Sequence, residues 1–156
     1  MITLFMMLHV IGAHYTYAQV PLGDWMKEAL GLSRNCFDRI VHFSFGLLMT
    51  YPVREISLRL LKLNRSVSNF IALTAGLGFS AVWEILESWL AQIVNPGAGA
   101  AYLGAQGDQW DAQNDIAVAF YGSLVCVGLT IVWERILKKD EISIDGSALE
   151  PTQHPT

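Results

Sequence analysis

FIALTAGLGFSAVWEILESWLAQIV, residues 70–94, is the stretch on which the fold turns. Crossing lipid takes about 20 mostly apolar residues, and this run supplies them with only Glu84 and Glu87 as charges. Three further segments read the same way: residues 1–17, 37–53 and 116–133. The expected fold is therefore all-α, a polytopic transmembrane bundle of about four spans over residues 1–139. Composition agrees. The chain has 156 residues, of which 53% are hydrophobic and 15% charged, against roughly 25% charged in an average soluble domain. A net charge of −4 is too small, and of the wrong sign, for a nucleic-acid binder. Cys36 and Cys126 form no disulfide framework and have no metal-type spacing. No internal repeat is visible.

Direction follows from the cations. Arg54, Arg59, Lys62 and Arg65 lie between the second and third spans, and Arg135, Lys138 and Lys139 follow the fourth. The opposite side holds Lys27, Arg34 and Arg39, so seven stand against three. By the positive-inside rule both termini and the 54–65 loop are expected in the cytoplasm, with 18–36 and 95–115 outside. The first span is short and starts abruptly; a cleaved signal peptide is the alternative, disfavoured because no basic leading end precedes it and it carries His9. Residues 21–34 place Leu22, Trp25, Met26, Ala29 and Leu30 at helical spacing, as in an amphipathic helix lying in the outer interface. Residues 140–156 are polar and proline-bearing, and read as a disordered cytoplasmic tail.

Ionisable residues inside a span are costly, so each marks a candidate site. Asp38 and His42 are four apart on the second helix, Glu84 and Glu87 three apart on the third, and Asp108, Asp111 and Asp115 lead into the fourth. His9 and His14 lie in the outer half of the first. With helices alternating in direction, all fall towards one leaflet. The i+4 rows also place them among small residues: Asp38, His42, Gly46, Thr50; Ala72, Gly76, Ser80, Glu84; Asp111, Asp115, Ala119, Ser123. Small stripes are where membrane helices approach closely, so these groups are expected to face the bundle interior. His9 and His14 fit less well, since five residues separate them by about 140° on a helix. The plainer reading is that the groups are interhelical hydrogen-bond partners. The sharper one is a site that uses Asp38, His42, Glu84, Glu87, Asp108, Asp111 and Asp115 for acid–base chemistry. In a metal version His9, His14, His42, Glu84, Glu87 and Asp115 are the ligands of a divalent ion, Mg, Mn, Fe or Zn. Arg39 is then free to hold an anionic group. The glycine-bearing outer loop, with Gly97, Gly99, Gly104 and Gly107, is expected to fold over that site. Trp25, Trp89 and Trp110 are interfacial anchors.

These residues carry a resemblance. The run His9-x-x-x-x-His14-Tyr15-Thr16-Tyr17, then Asn35-x-x-Asp38-Arg39-x-x-His42-Phe43, then Glu84-x-x-Glu87, and last Tyr102-Leu103-Gly104-x-Gln106-Gly107-Asp108-x-Trp110-Asp111-x-Gln113-x-Asp115, resembles the YjdF-type family of bacterial inner-membrane proteins. The likeness covers about residues 9–135 and implies an inner-membrane location without implying an activity. Family members are generally longer at the N-terminus, so the chain is expected to begin inside the family's domain. A looser similarity is to VanZ-like membrane proteins, through the acidic-basic-x-x-His-Phe start of one helix; their later Asp…Asn-x-x-Gly pattern is absent, Val118 standing at the glycine spacing after Asp115. That likeness implies an envelope role. The leading expectation is a membrane bundle acting on a lipid or lipid-linked envelope substrate. The competing ones are a proton-coupled transporter, weakened because the polar groups cluster at one end and nothing ionisable lines the inner halves of the helices, and a non-catalytic partner-binding membrane protein.

Overall fold

A computed structural model describes residues 1–94 and 106–147, with side chains for 1–93 and 106–137; the glycines at 97, 99 and 104 lie outside the described residues. Every regular element described is helical: α1 (Ile2–His14), α2 (Pro21–Leu30), α3 (Phe37–Arg59), α4 (Arg65–Val94) and α5 (Asp111–Ser147). Local chemistry explains the boundaries. After α1 the chain turns through Thr16 and Tyr17, both left-handed at φ 52° and 55°. The Tyr17 ring folds back on Gly12, where any Cβ would overlap it. Pro21 opens α2 in the first turn, where its missing N–H costs nothing, and left-handed Gly31 closes it, with the Leu32 amide donating to the Lys27 carbonyl. The Asn64 side chain caps α4 through the Val67 amide at 2.9 Å.

The polarity of the molecule is inverted. Large apolar side chains such as Phe70, Phe79, Ile93, Leu129 and Val132 are exposed, whereas Asn35, Asp38, His42, Thr50, Arg54, Ser80, Asp115 and Ser123 are buried. In water this arrangement would forfeit the hydrophobic term; in lipid it satisfies the polar groups inside and presents hydrocarbon outside. α3 is the central helix, packed against α5, α4 and α1. The expected small-residue rows meet there. A methyl added to Gly46 would fall on the Ala119 carbonyl, and one added to Gly122 on the Phe43 carbonyl, so α3 and α5 touch backbone to backbone.

Two of the described helices, Arg65–Ile93 and Asp111–Leu137, are long and apolar enough to cross a membrane. α3 has the length, 23 residues, or about 34 Å of rise, but its buried face is polar and lowers its mean hydropathy. α1 has 13 residues, short of the roughly 20 a span requires. α2 is shorter than the 21–34 reading and leaves Leu22, Trp25 and Leu30 exposed along one side. α5 continues to Ser147, into the stretch read as a polar tail, and residues 148–156 lie outside the described residues.

Candidate functional site

The site is assembled at one end of α3, α4 and α5. Asp38 stands in the first turn of α3, where the helix dipole favours a carboxylate, and His42 lies one turn further on. His42 Nε2 is 3.8 Å from Asp38 Oδ1 and 3.2 Å from Glu84 Oε1 on α4. The Glu84 contact has ion-pair distance without hydrogen-bond alignment, so Oε1 is buried and unsatisfied as an acceptor. Ser80 Oγ, one turn before Glu84, lies 3.4 Å from His42 Nδ1. From α5 comes Asp115, 1% exposed. Asp38, His42 and Asp115 each offer a ligand atom, all within 4.8 Å of one another.

Two guanidinium groups hold the rim. Arg39 reaches Asp115 at 2.8 Å, Asp111 at 2.9 Å and Asp108 at 3.0 Å, and donates to the Asp111 carbonyl as well. Arg34 pairs with Asp111 and, at 3.4 Å, with Asp108. Arg39 is thereby engaged by the protein's own carboxylates, and its expected role as a free anion-binding group is not what this geometry provides. Glu87 interacts electrostatically with Asp38, Asp111 and Asp115. Six carboxyl groups thus share one space with two guanidinium groups, an imbalance that bound protons or a cation must relieve. Outside the spans, the Asp108 carboxyl is held below its ordinary range, first by the Trp110 backbone N–H and further by Asn114, Arg39 and Arg34, against partial desolvation.

The other expected ligands sit apart. His9 accepts or donates to the Tyr17 hydroxyl at 3.0 Å and packs edge-on to Trp83, whose ring centroid is 5.3 Å away. His14 is exposed against Tyr15 and joins no cluster among the described residues. His9 and His42 instead line a groove of about 610 Å³ between α1 and α4, floored by α3. Its polar residues, His9, Tyr17, Asp38, His42 and Ser80, gather at one end; the rest of its wall is apolar and includes Phe45, Met49 and Phe79.

Two arrangements were not singled out in the sequence. Asn35, 1% exposed, is clamped by Gln106: its amide donates to Gln106 Oε1 and its carbonyl accepts from Nε2, each at 2.9 Å. Its own side chain donates to the Val20 carbonyl and to Asp24 and accepts from the Phe37 amide. It therefore pins the start of α3, and with it Asp38, to α2 and the residue before it and to Gln106 ahead of α5. Their presence in the quoted family pattern was the available signal. The second arrangement lies at the opposite end. Arg54, 1% exposed, donates to Asn69 and Glu134 at 2.6 Å each and meets Glu55 at 3.4 Å. The expectation that the inner halves carry nothing ionisable is corrected by this pair: Arg54 is a buried residue of α3, not a loop charge, because α5 brings Glu134 beside it.

Comparison with known proteins places these residues in a family. A family model described as a predicted membrane protein, DUF2238, matches residues 1–136. The inner membrane protein YjdF of Escherichia coli (strain K12) is 41% identical over 119 residues, 76% of this chain and 56% of the relative. The chain thus spans about half the length of the curated relative it matches. The VanZ-like similarity is not shown by these comparisons, and no solved structure matches the chain.

Proposed function

From the premise that this chain belongs to the DUF2238 family of predicted membrane proteins, we propose that it is a multi-pass membrane protein whose outer-end site holds a divalent cation and acts on a lipid or lipid-linked envelope substrate. One observation carries the reading: Asp38, His42 and Asp115, all buried, converge from two helices with ligand atoms within 4.8 Å. Carboxylate and imidazole donors suit Mg, Mn, Fe or Zn. Glu84, 3.2 Å from His42, serves in this reading as a further ligand or as a proton carrier beside a bound water. Four spans with both termini in the cytoplasm are part of the proposal. Setting the buried Arg54 aside, six inner Lys/Arg still face three outer ones.

Metal analysis of the full chain, purified in mild detergent and equilibrated with each of the four ions, tests this. Stoichiometric metal should be retained by the wild type and lost in Asp38→Asn and Asp115→Asn variants that keep their helical circular dichroism. A wild-type protein that retains none of the four ions would sink the cation reading.

A second reading gains support from a specific observation. Buried polar groups continue along the bundle axis from His42 and Ser80, through the Thr50–Ser123 hydrogen bond at 2.8 Å, to the Arg54–Glu134 pair. A file of this kind is what a proton-coupled transporter would use. Proton flux into proteoliposomes, abolished by Glu84→Gln, would favour it over the enzymatic reading.

A further inference from the structure

The groove between α1 and α4 shares Asp38 and His42 with the cation site and runs on well beyond it, and its shape restricts what can occupy it. Its floor on α3 runs from Asp38 and His42 through Phe45 and Met49 to Val53. That is about 22 Å of helix rise, longer than the roughly 15 Å of one hydrocarbon leaflet. Spread over that length, 610 Å³ leaves the centres of water-sized atoms an average cross-section of roughly 30 Å², against about 40 Å² that a helix about 10 Å across needs by the same measure. A further helix of a longer protein, or a helix of a second copy, is too thick to seat fully within it. An extended polymethylene chain is not. The chemistry is graded in the same sense as a lipid: apolar along the length, with His9, Tyr17, Asp38, His42 and Ser80 at one end. The groove also lies on a surface of exposed apolar side chains, among them Met6, Phe79 and Val82, so an occupant enters sideways from the bilayer.

We propose that this groove holds one acyl chain of a membrane phospholipid, its head group lying at the Asp38–His42 end. The inference deepens the lipid reading above by naming the part of the substrate that is held, and it does not depend on the cation. The aromatic pair Phe5–Phe45, with ring centroids 5.4 Å apart, joins α1 to the floor and closes one side of the chain's path.

The test is photolabelling of the full chain in vesicles containing phosphatidylglycerol with a mid-chain diazirine. Label is expected on Phe5, Phe45 or Met49, in excess over Leu129 and Val132 on the outward face of α5. Met49→Trp and Val53→Trp each fill the deep end, and each should lower groove labelling by about tenfold while metal content stays unchanged. Conversely Asp115→Asn, which removes a proposed ligand but no groove wall, should lose metal and keep the labelling. Equal labelling of the groove and of Leu129 and Val132 would mean ordinary annular lipid and overturn the proposal. So would labelling by free diazirine fatty acid alone, or crosslinks joining two copies at these positions.

Discussion

Replacing Arg54 with methionine is the sharpest test of the buried Arg54–Glu134 pair. Its guanidinium is 1% exposed and held by Asn69 and Glu134 at 2.6 Å each, with Glu55 at 3.4 Å. Removing one partner of a buried ion pair costs roughly 3–5 kcal/mol, mostly because the other charge is left uncompensated. Here the figure is smaller. The Glu134 side chain is 25% exposed and keeps Arg65 at 3.2 Å, and Glu55 is 21% exposed, so both retain some water. About 2–3 kcal/mol is expected for Arg54→Met, and about 2 kcal/mol for Glu134→Gln, which leaves the guanidinium with Asn69 and Glu55. The double variant removes both charges. It should fall short of the sum of the singles by about 1.5 kcal/mol, the coupling energy of the pair. Reversible unfolding in mixed detergent–SDS micelles, followed by far-ultraviolet circular dichroism, measures all three. An Arg54→Met loss below about 0.5 kcal/mol, or strict additivity in the double variant, would refute the buried pair.

Gly46→Ala should destabilise the bundle by about 1–3 kcal/mol, the range for overpacking, because the new methyl falls on the Ala119 carbonyl. Gly78→Ala, where a Cβ meets nothing within 4 Å, should be neutral or stabilising by up to about 1 kcal/mol through helix propensity; the same micelle unfolding separates them. The Asp108 carboxyl, whose folded value lies below its ordinary 3.8, contributes stability above that ordinary value and loses it as pH falls through the depressed one. Amide exchange at the start of α5 should therefore rise only as the pH drops below about 4, and Asp108→Asn should remove that dependence. Alkaline phosphatase fused after positions 25 and 105 should be active, and after positions 60 and 145 inactive; activity at position 60 would reverse the orientation.

The amino-acid sequence by itself determined what depends on spacing along one helix. The row Asp38, His42, Gly46, Thr50 is buried in the structure, as are Ala72 and Ser80 on α4 and Asp115, Ala119 and Ser123 on α5. An i+4 interval puts residues on one face whatever surrounds the helix, and small residues mark that face as the contact side. The tertiary structure alone decided what depends on which helices are neighbours and at what depth. Arg54 meets Glu134 eighty residues away, and Asn35 meets Gln106 at a separation of 71. Arg39 is consumed by Asp108, Asp111 and Asp115, although its place in the sequence left it available. The groove exists because α3 packs against both α1 and α4 while leaving a channel between them. Periodicity is a property of one helix and is carried by its own residues; pairing and gaps belong to two or three helices at once. They are set by the close approach at Gly46 and Gly122, which fixes how far α3 and α5 slide past one another and hence which polar groups can meet.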